Sequence, residues 1–303
     1  MGRTPGGWPG AWTAPGVRLR MGAAMAGGST EWRGRSVISK VVALLDAFTP
    51  AAPELSLNEL AALTGLPVST TYRLASELVG WGGLERVEGG GYRIGLRLWE
   101  IGSLAPRGET LREVALPFMN DLYEATHENV HLAVLDGTEA LYVEKLSGRR
   151  AMPVRTRRGG RLPLHATAVG KVLLAYGPDS LFREAVAEGL ARYTAHTIIA
   201  PGHLRRALAE IRRTGIAYAR EELTVGTQSV ASAVLDPDGG PIAALSVTLR
   251  SGQGDLRRLG PAVHTAAISV SRGMQQRALL TRDRGERAAV AMSGGPGGPL
   301  GGD

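Results

Sequence analysis

The segment 56–95 constrains the fold of this chain more than any other part of the sequence. It contains two short amphipathic helical patterns separated by only a few residues. Ser56 followed by Glu59 has the form of a capping box, in which each side chain satisfies the other's free backbone N–H. Gly65 is placed to end the first helix in a left-handed conformation, and Pro67 suits the first turn of the second. Two helices joined by so short a turn predict a helix-turn-helix.

A short β-hairpin is predicted directly after the second helix. Residues 84–87 and 92–94 are two short runs that mix apolar and polar residues as strands do, and three consecutive glycines, Gly89 to Gly91, lie between them. Glycine allows the positive φ angles that a tight hairpin turn requires. A glycine-tipped hairpin after a helix-turn-helix predicts a winged helix-turn-helix. Helical periodicity then returns over 96–104 and 109–126, which we interpret as a linker helix and the opening helix of a second domain.

The second helix of the pair begins with a run of hydroxyl-bearing side chains and an arginine: Ser69, Thr70, Thr71, Tyr72 and Arg73. In a helix-turn-helix the first residues of this helix meet DNA bases and phosphates. Hydroxyl groups form hydrogen bonds with bases or with phosphates, and arginine pairs with phosphate or guanine. These residues are therefore predicted to contact DNA, while apolar residues further along the helix hold it on its core. The alternative is that Ser69 and Thr70 only cap a surface helix.

Basic residues outside this helix add to the predicted interface. Between residues 36 and 100 the chain has five basic and seven acidic residues, so DNA binding has to depend on geometry and local charge. Four arginines are placed to contact phosphates beside the groove: Arg33, Arg35, Arg86 and Arg93. Such contacts are individually modest and sensitive to salt.

Composition limits the chemistry that is available. The chain of 303 residues has a net charge of +7 and no cysteine, which excludes disulfides, thiolate metal sites and a thiol nucleophile. This suits a reducing cytoplasm, and no apolar run approaches the roughly 18 residues of a transmembrane helix. The Gly- and Pro-rich ends, 1–35 and 281–303, are predicted to be disordered, with Met21 and Met25 as alternative starts.

The second half of the chain groups strands at its ends and helices between them. Strands are predicted over 129–135, 140–146, 152–157, 216–221, 229–235 and 242–249. Helices are predicted over 167–176, 180–188 and 203–213, with a long closing helix over 255–279. This arrangement predicts an α+β sensor-like domain with a mixed or antiparallel sheet. The predicted domains are thus 36–95 for the winged helix-turn-helix, 96–108 for the linker helix and 109–280 for the second domain.

Several sequence blocks resemble the IclR-type transcriptional regulators. They include LSLNELAALTGLPVSTTYRLASELVGWGGLER at 55–86, LPLHATAVGK at 162–171 and the block GTQSVASAVLDPDGGPIAALSVT at 226–248. The resemblance covers about 36–274. It implies a double-stranded DNA operator, a GAF-like effector-binding domain, and a homodimer or dimer of dimers. It also implies a repressor or activator controlled by a small metabolite, commonly a carboxylate or an aromatic acid, without a metal or cofactor.

The resemblance also implies which residues line the effector pocket. They are Leu162, Ala168, Val169, Ser229, Ser246 and Thr248. The backbone N–H groups at Ala168 and Val169, at a helix start, suit a carboxylate. Some family members have cysteine in place of Ser229. Some have an acidic residue in place of Ala219. This chain lacks that acid and has the basic Arg220 beside the position, which favours a more anionic effector.

Two adjacent acids, Glu221 and Glu222, follow in a predicted strand. Because neighbouring side chains on a strand point to opposite faces, at most one of them is expected to face a pocket.

Other motifs favour structural interpretations. Gly170-Lys171 lacks the remainder of a phosphate-binding loop, and His127 and His131 straddle a helix-to-strand boundary, so neither predicts a ligand site. His165 is expected to be a core residue or to support one. A basic run at 149–161 is interpreted as a solvated strand and loop, with an anion-attracting pocket entrance as the alternative.

Two other functions remain open from the sequence. One is a small-molecule sensor that signals by protein contact. The other is a hydrolase or transferase whose N-terminal helices only dimerise, although no nucleophile with a positioned base is evident.

Overall fold

The computed structural model describes residues 36–49, 51–104, 106–148 and 157–293. The chain divides into two compact units between Glu109 and Thr110. Each unit has a hydrophobic core of its own.

The first unit is a winged helix-turn-helix followed by a further helix. Its elements are α1 (Val37–Asp46), β1 (Glu54–Leu55), α2 (Leu57–Thr64), α3 (Val68–Trp81), β2 (Leu84–Arg86), β3 (Tyr92–Ile94) and α4 (Leu96–Ser103). The strands form an antiparallel sheet in the order β1-β3-β2. The predicted winged helix-turn-helix is therefore confirmed.

The local signals that predicted this unit are present in the structure. Ser56 and Glu59 form the reciprocal capping box, and Gly65 ends α2 with a φ of 67°. Helix α3 begins at Val68, one residue later than predicted, with Pro67 as its N-cap. Strand β1 was not predicted, because two residues are too short to show an alternating pattern.

The wing and α3 share one core. Leu74 and Leu78 of α3 are buried together with Leu60 of α2 and Tyr92 of the wing. At the tip of the wing Gly89 and Gly90 have φ angles of 94° and 87°, a conformation that favours glycine. The core thus fixes one face of α3 and leaves the other available.

The second unit has an antiparallel sheet with helices on both faces. Its elements are α5 (Pro106–Thr126), β4 (Asn129–Asp136), β5 (Glu139–Leu146), β6 (Arg161–Pro163), α6 (Ala168–Tyr176), α7 (Asp179–Glu188), α8 (Pro201–Thr214), β7 (Ile216–Arg220), β8 (Thr227–Leu235), β9 (Pro241–Arg250) and α9 (Leu256–Ser293). The strand order is β6-β5-β4-β9-β8-β7, and every neighbouring pair is antiparallel. Of the two predicted sheet types, the antiparallel one is present.

The sheet separates two apolar clusters. Helices α6, α7 and α8 pack on one face, against small residues such as Ala231 and Ala244. Helices α5 and α9 pack on the other face, against larger residues such as Val230 and Leu245. The alternation of small and large side chains along β8 and β9 decides which helices approach closely, since successive side chains point to opposite faces.

Helix α6 is buried over its first eight residues, 168–175. A side chain at Gly170 would lie 2.3 Å from the Leu164 carbonyl oxygen and 2.4 Å from the Leu164 Cα. Those backbone atoms belong to the turn between β6 and α6, so they cannot move aside as a flexible side chain would. Glycine at this position therefore lets α6 start close to the turn that precedes it.

In the second unit the structure differs from the sequence-based expectation at strand β6, at the end of β7 and at the end of α9. Strand β6 was not predicted, and of the predicted strand 152–157 only Arg157 is described, where it is not in a strand. Strand β7 ends at Arg220, one residue before the predicted end. Helix α9 continues to Ser293 and so enters the segment that the sequence analysis assigned to a disordered tail.

We predict that Gly170→Ala lowers the stability of the second unit by about 1–3 kcal/mol, because the added methyl group overpacks α6 against backbone atoms. Differential scanning calorimetry should show a lower transition temperature for the second unit, which contains residue 170. The control is Gly202→Ala in α8, where a methyl group meets no atom within 4 Å and helix propensity improves. Equal transitions for both variants would contradict the packing argument.

Candidate functional site

The leading edge of α3 presents polar side chains to solvent. Ser69, Tyr72 and Arg73 are exposed, and Thr70 is half-buried. Tyr72 is 52% exposed, a large fraction for a side chain of its size. The exposed surface at the start of α3 therefore contains four of the five residues that the sequence analysis assigned to DNA contact.

Thr71 does not belong to this surface. Its side chain is fully buried, and its hydroxyl donates to the Pro67 carbonyl oxygen at 3.1 Å. The prediction that Thr71 contacts DNA is therefore wrong. The helical period places residue 71 on the same face as Leu74 and Leu78, which pack in the core.

The described arginines of this surface make weak contacts within the unit. Arg73 pairs with Glu77 at 3.1 Å, and Arg93 pairs with Glu85 at 2.9 Å. Arg86 lies over the Tyr92 ring, with 5.1 Å between guanidinium carbon and ring centroid. Exposed ion pairs contribute about 0–1 kcal/mol, so a phosphate can replace the carboxylate at little cost. Arg33 and Arg35, also predicted to contact phosphates, lie outside the described residues.

A cavity of about 160 Å³ opens in the second unit between the start of α6, the sheet and the segment after β7. The six residues predicted for an effector pocket all line it: Leu162, Ala168, Val169, Ser229, Ser246 and Thr248. Tyr142 of β5 also lines it and was not predicted, although it alternates with the outward residues of its strand.

The sheet places the hydroxyl residues of the cavity in register. Ser229 of β8 is paired with Thr248 of β9, and Ser229 is also paired with Ala219 of β7. Ser246 is paired with Ala231 and His131 one row further along the sheet. Residues two apart on one strand share a face, so Ser246 and Thr248 point to the same side as Ser229.

The start of α6 supplies backbone donors to the cavity. Thr167 caps the helix by accepting a hydrogen bond from the Gly170 N–H at 3.0 Å. The N–H groups of Ala168 and Val169 come before the first intrahelical bond, so the helix itself has no acceptor for them. Such a helix start favours an anion.

Both Glu221 and Glu222 line the cavity, so the expectation that at most one of them faces a pocket is wrong. The strand ends at Arg220, and Glu221 has a φ of 55°, in the left-handed region. The alternation of a strand therefore does not extend to these residues. Two threonine hydroxyls hold this conformation: Thr194 donates to the Glu221 carbonyl oxygen and Thr197 to the Glu222 carbonyl oxygen, both at 2.6 Å.

An ion pair lies behind the cavity. Lys171 Nζ of α6 donates to Glu222 Oε1 at 2.5 Å and to the Tyr218 carbonyl oxygen at 2.7 Å. Both side chains are buried. Burial lowers the pKa of Lys171 below its usual value, while Glu222 acts in the opposite direction. Lys171 is thus a structural partner of Glu222, in agreement with the interpretation that Gly170-Lys171 is no phosphate-binding loop.

The charge of the lining limits what the cavity can hold. Among its described residues two are acidic and none is lysine or arginine. This argues against the more anionic effector that Arg220 suggested, since Arg220 does not line the cavity. A single carboxylate at the start of α6 is compatible with the lining, because the helix start supplies its donors.

Aromatic groups beside the cavity are neutral. Burial lowers the pKa of His131 to about 3, helped by Lys145, so the imidazole is uncharged. Burial raises the pKa of the Tyr142 hydroxyl, whose ring packs edge-on against His131. His165 is buried and its ring nitrogen is 2.9 Å from the Ala191 carbonyl oxygen, as expected for a core or supporting residue.

One serine–histidine pair has hydrogen-bonding distance but not the arrangement of a catalytic pair. Ser232 Oγ is 2.8 Å from both His264 Nδ1 and the Gly215 carbonyl oxygen. Ser232 has one proton; when it donates to the carbonyl, it accepts from the imidazole, which then cannot act as its base. Ser232 is buried and does not line the cavity.

Two of the three described arginines of the basic run, Arg158 and Arg161, form ion pairs. Arg158 and Arg112 both donate to Glu144, with 2.6 Å between Arg158 Nη2 and Glu144 Oε2. Burial raises the pKa of Glu144, but these hydrogen bonds outweigh burial and hold it below its usual value. Arg161 pairs with Asp136 and Glu139. The residues 149–156 lie outside the described part of the chain.

The described residues contain neither a metal-ligand cluster nor a membrane-spanning helix. No group of three or more histidine, cysteine, aspartate or glutamate side chains is placed to hold a metal ion there. Nor is any helix in the described ranges long and apolar enough to cross a membrane.

Comparison with protein families decides the family. Residues 37–88 match the IclR helix-turn-helix domain, and residues 107–272 match the bacterial transcriptional regulator IclR C-terminal domain. The chain belongs to the IclR family. It is therefore a transcriptional regulator with an N-terminal helix-turn-helix DNA-binding domain, and the predicted family is confirmed.

Curated IclR-family relatives cover most of the chain. The transcriptional regulator XynR of Escherichia coli is 33% identical over 243 residues, which are 78% of this chain and 96% of the relative. The transcriptional repressor IclR of the same organism is 31% identical over 215 residues, 70% of this chain and 78% of the relative.

Solved IclR-family structures share the architecture. An IclR homolog from Microbacterium hydrocarbonoxydans, complexed with 4-hydroxybenzoate, is 32% identical, with a TM-score of 0.75, over 78% of this chain and 98% of that one. The Thermotoga maritima IclR is 29% identical, with a TM-score of 0.66, over 78% of this chain and 97% of that one. The winged helix-turn-helix and the α+β second domain are thus the family's fold.

Proposed function

We propose that this protein is a repressor whose affinity for a DNA operator is controlled by a small monocarboxylic acid bound in the cavity of the second unit. The observation that carries the proposal is that one cavity brings together the start of α6 and the hydroxyls of Ser229, Ser246 and Thr248. The cavity therefore offers backbone donors for one carboxylate and hydroxyls for its substituents. Operator binding places the protein with the chromosome, in the cytoplasm.

The size of the cavity supports a ligand with a single ring or a short chain. An apolar protein cavity of about 150 Å³ is large enough to hold benzene. The cavity here has about the same volume. A structural relative holds 4-hydroxybenzoate, an aromatic acid with one ring. An acid of this class is the first effector to test.

The enzyme alternative finds no support in the described residues. A hydrolase or transferase needs a nucleophile beside a base in an accessible site, whereas Ser232 and His264 are away from the cavity. The curated relatives in the family are regulators, which favours binding over catalysis. The alternative of a sensor that only contacts proteins leaves the exposed polar start of α3 without a role.

Exposed apolar side chains in the first unit support the proposed homodimer. Helix α1 exposes Val37 and Ile38, helix α4 exposes Leu96 and Trp99, and Leu104 is exposed directly after α4. Trp99 is 70% exposed and Leu104 78%. Clustered exposed apolar residues mark interaction surfaces. A dimer also gives two recognition helices, as a palindromic operator requires; a tetramer would pair two such dimers.

We predict that Arg73→Ala weakens operator binding by about 1–3 kcal/mol, roughly 5- to 150-fold, because Arg73 contacts a base or phosphate. The operator comes from sequencing genomic DNA that the protein retains, and fluorescence anisotropy then measures affinity. The matched control is Arg213→Ala: Arg213 is also an exposed helical arginine paired with a glutamate of its own helix. An unchanged affinity for Arg73→Ala would reject the proposed recognition surface.

We predict that Ser246→Ala and Thr248→Val each weaken effector binding by about 0.5–1.5 kcal/mol, since each removes one neutral hydrogen bond. Calorimetric titration with 4-hydroxybenzoate measures the change. Ser180→Ala on the exposed surface of α7 is the control and should bind as the unsubstituted protein does. If neither cavity variant alters binding of an acid that the unsubstituted protein binds, the acid binds elsewhere.

We predict that Trp99→Glu shifts the protein from dimer to monomer, because it puts a charge into the apolar dimer surface. Sedimentation velocity at micromolar concentration measures the change. Val225→Glu is the control, since Val225 is 68% exposed in a loop of the other unit. The proposed dimer surface would be contradicted if the unsubstituted protein sediments as a monomer. It would also be contradicted if the Trp99→Glu variant stays dimeric.

A further inference from the structure

One oxygen of the cavity has an unmet hydrogen-bonding requirement. Glu222 is 8% exposed and lines the cavity. Its Oε1 accepts a hydrogen bond from Lys171 Nζ at 2.5 Å. Its Oε2 is buried and has no hydrogen-bond partner among the described residues. Leaving a buried charged acceptor without a donor is unfavourable, so native proteins usually supply one.

The surrounding structure holds Glu222 in this position. Lys171 is itself fixed by its second hydrogen bond, to the Tyr218 carbonyl oxygen at 2.7 Å. The backbone of Glu222 is held by Thr197, whose hydroxyl donates to the Glu222 carbonyl oxygen. Since Oε1 is committed to the lysine, Oε2 is the carboxylate oxygen whose hydrogen-bond donor remains to be supplied.

The opposite requirement exists at the start of α6. The N–H groups of Ala168 and Val169 favour an acceptor, and both residues line the same cavity as Glu222. The cavity thus has N–H donors at the start of α6 that favour an acceptor, and a carboxylate at Glu222 that favours a donor. A plain carboxylic acid meets only the first requirement.

We propose that Glu222 is a specificity-determining residue whose free carboxylate oxygen accepts a hydrogen bond from the effector. The effector is then a small monocarboxylic acid that also carries a hydroxyl or amino group. This inference rests on the proposed function, because it assumes an acid effector in this cavity. It adds that acids without a donor group are discriminated against, since they leave the Glu222 oxygen unpaired.

The test compares benzoate with its three monohydroxy isomers in calorimetric titrations of the full chain. Hydrogen bonds to charged groups are stronger than neutral ones. We expect at least one hydroxy isomer to bind about 10- to 100-fold more tightly than benzoate. The readout is the ratio of the two affinities, because a merely structural role of Glu222 changes the affinity for all four acids by the same factor.

The variants must not leave one member of the buried ion pair without its partner. Lys171→Met or Glu222→Met alone leaves the partner buried and uncompensated, which is strongly destabilising. We therefore use two double variants, Lys171→Met with Glu222→Met and Lys171→Met with Glu222→Gln. Both remove the ion pair, but glutamine keeps an acceptor oxygen and methionine does not. Thermal unfolding confirms that each double variant folds before it is titrated.

The expected result is that the affinity ratio falls to about 1–2 in the methionine variant and stays above that value in the glutamine variant. Equal binding of all four acids to the unsubstituted protein would overturn the inference and leave the proposed function in place. An unchanged ratio of hydroxybenzoate to benzoate affinity in the methionine variant would also overturn the inference and leave the proposed function in place. If none of the acids binds, the acid effector of the proposed function fails, and this inference fails with it, whereas operator binding is unaffected.

Discussion

The buried ion pair between Lys171 and Glu222 is the interaction on which the cavity depends. It joins the first turn of α6 to the segment after β7, and its two residues are 51 positions apart in the chain. Gly170, one residue earlier, allows α6 to start against backbone atoms of the preceding turn. Because a buried pair is stable only with both partners in place, the position of α6 and the conformation of Glu222 depend on each other. The cavity lies between these two elements.

The two units place their functional groups by different means. In the first unit, a core of leucines and Tyr92 holds one face of α3, and the polar start of that helix is left to solvent. Arg73 and Arg93 of this unit pair with carboxylates at its surface, which phosphates can replace. In the second unit, functional groups point inward, and the sheet register brings Ser229, Ser246 and Thr248 together. An exposed surface suits a large, charged partner such as DNA, and an enclosed one suits a small molecule.

Local signals in the sequence predicted the first unit well, because its determinants act over a few residues. The capping box at Ser56 and Glu59, the left-handed Gly65 and the glycine tip of the wing all appear as predicted. The burial of Thr71 was missed, although its helical spacing from Leu74 and Leu78 places it on the face that packs in the core. The six predicted cavity residues came from family resemblance, and the structure brings them together in one cavity.

The sequence by itself determined the division into a winged helix-turn-helix and an α+β unit, because hydrophobic periodicity, caps and turn glycines are local properties of the chain. It did not determine that Glu221 and Glu222 both face the cavity. That depended on the end of β7, on threonine hydroxyls at residues 194 and 197, and on Lys171, which is 51 residues from its partner in the chain. Only the tertiary structure decided which oxygen of Glu222 has a partner, since a hydrogen bond between distant residues exists only once the fold has brought them together.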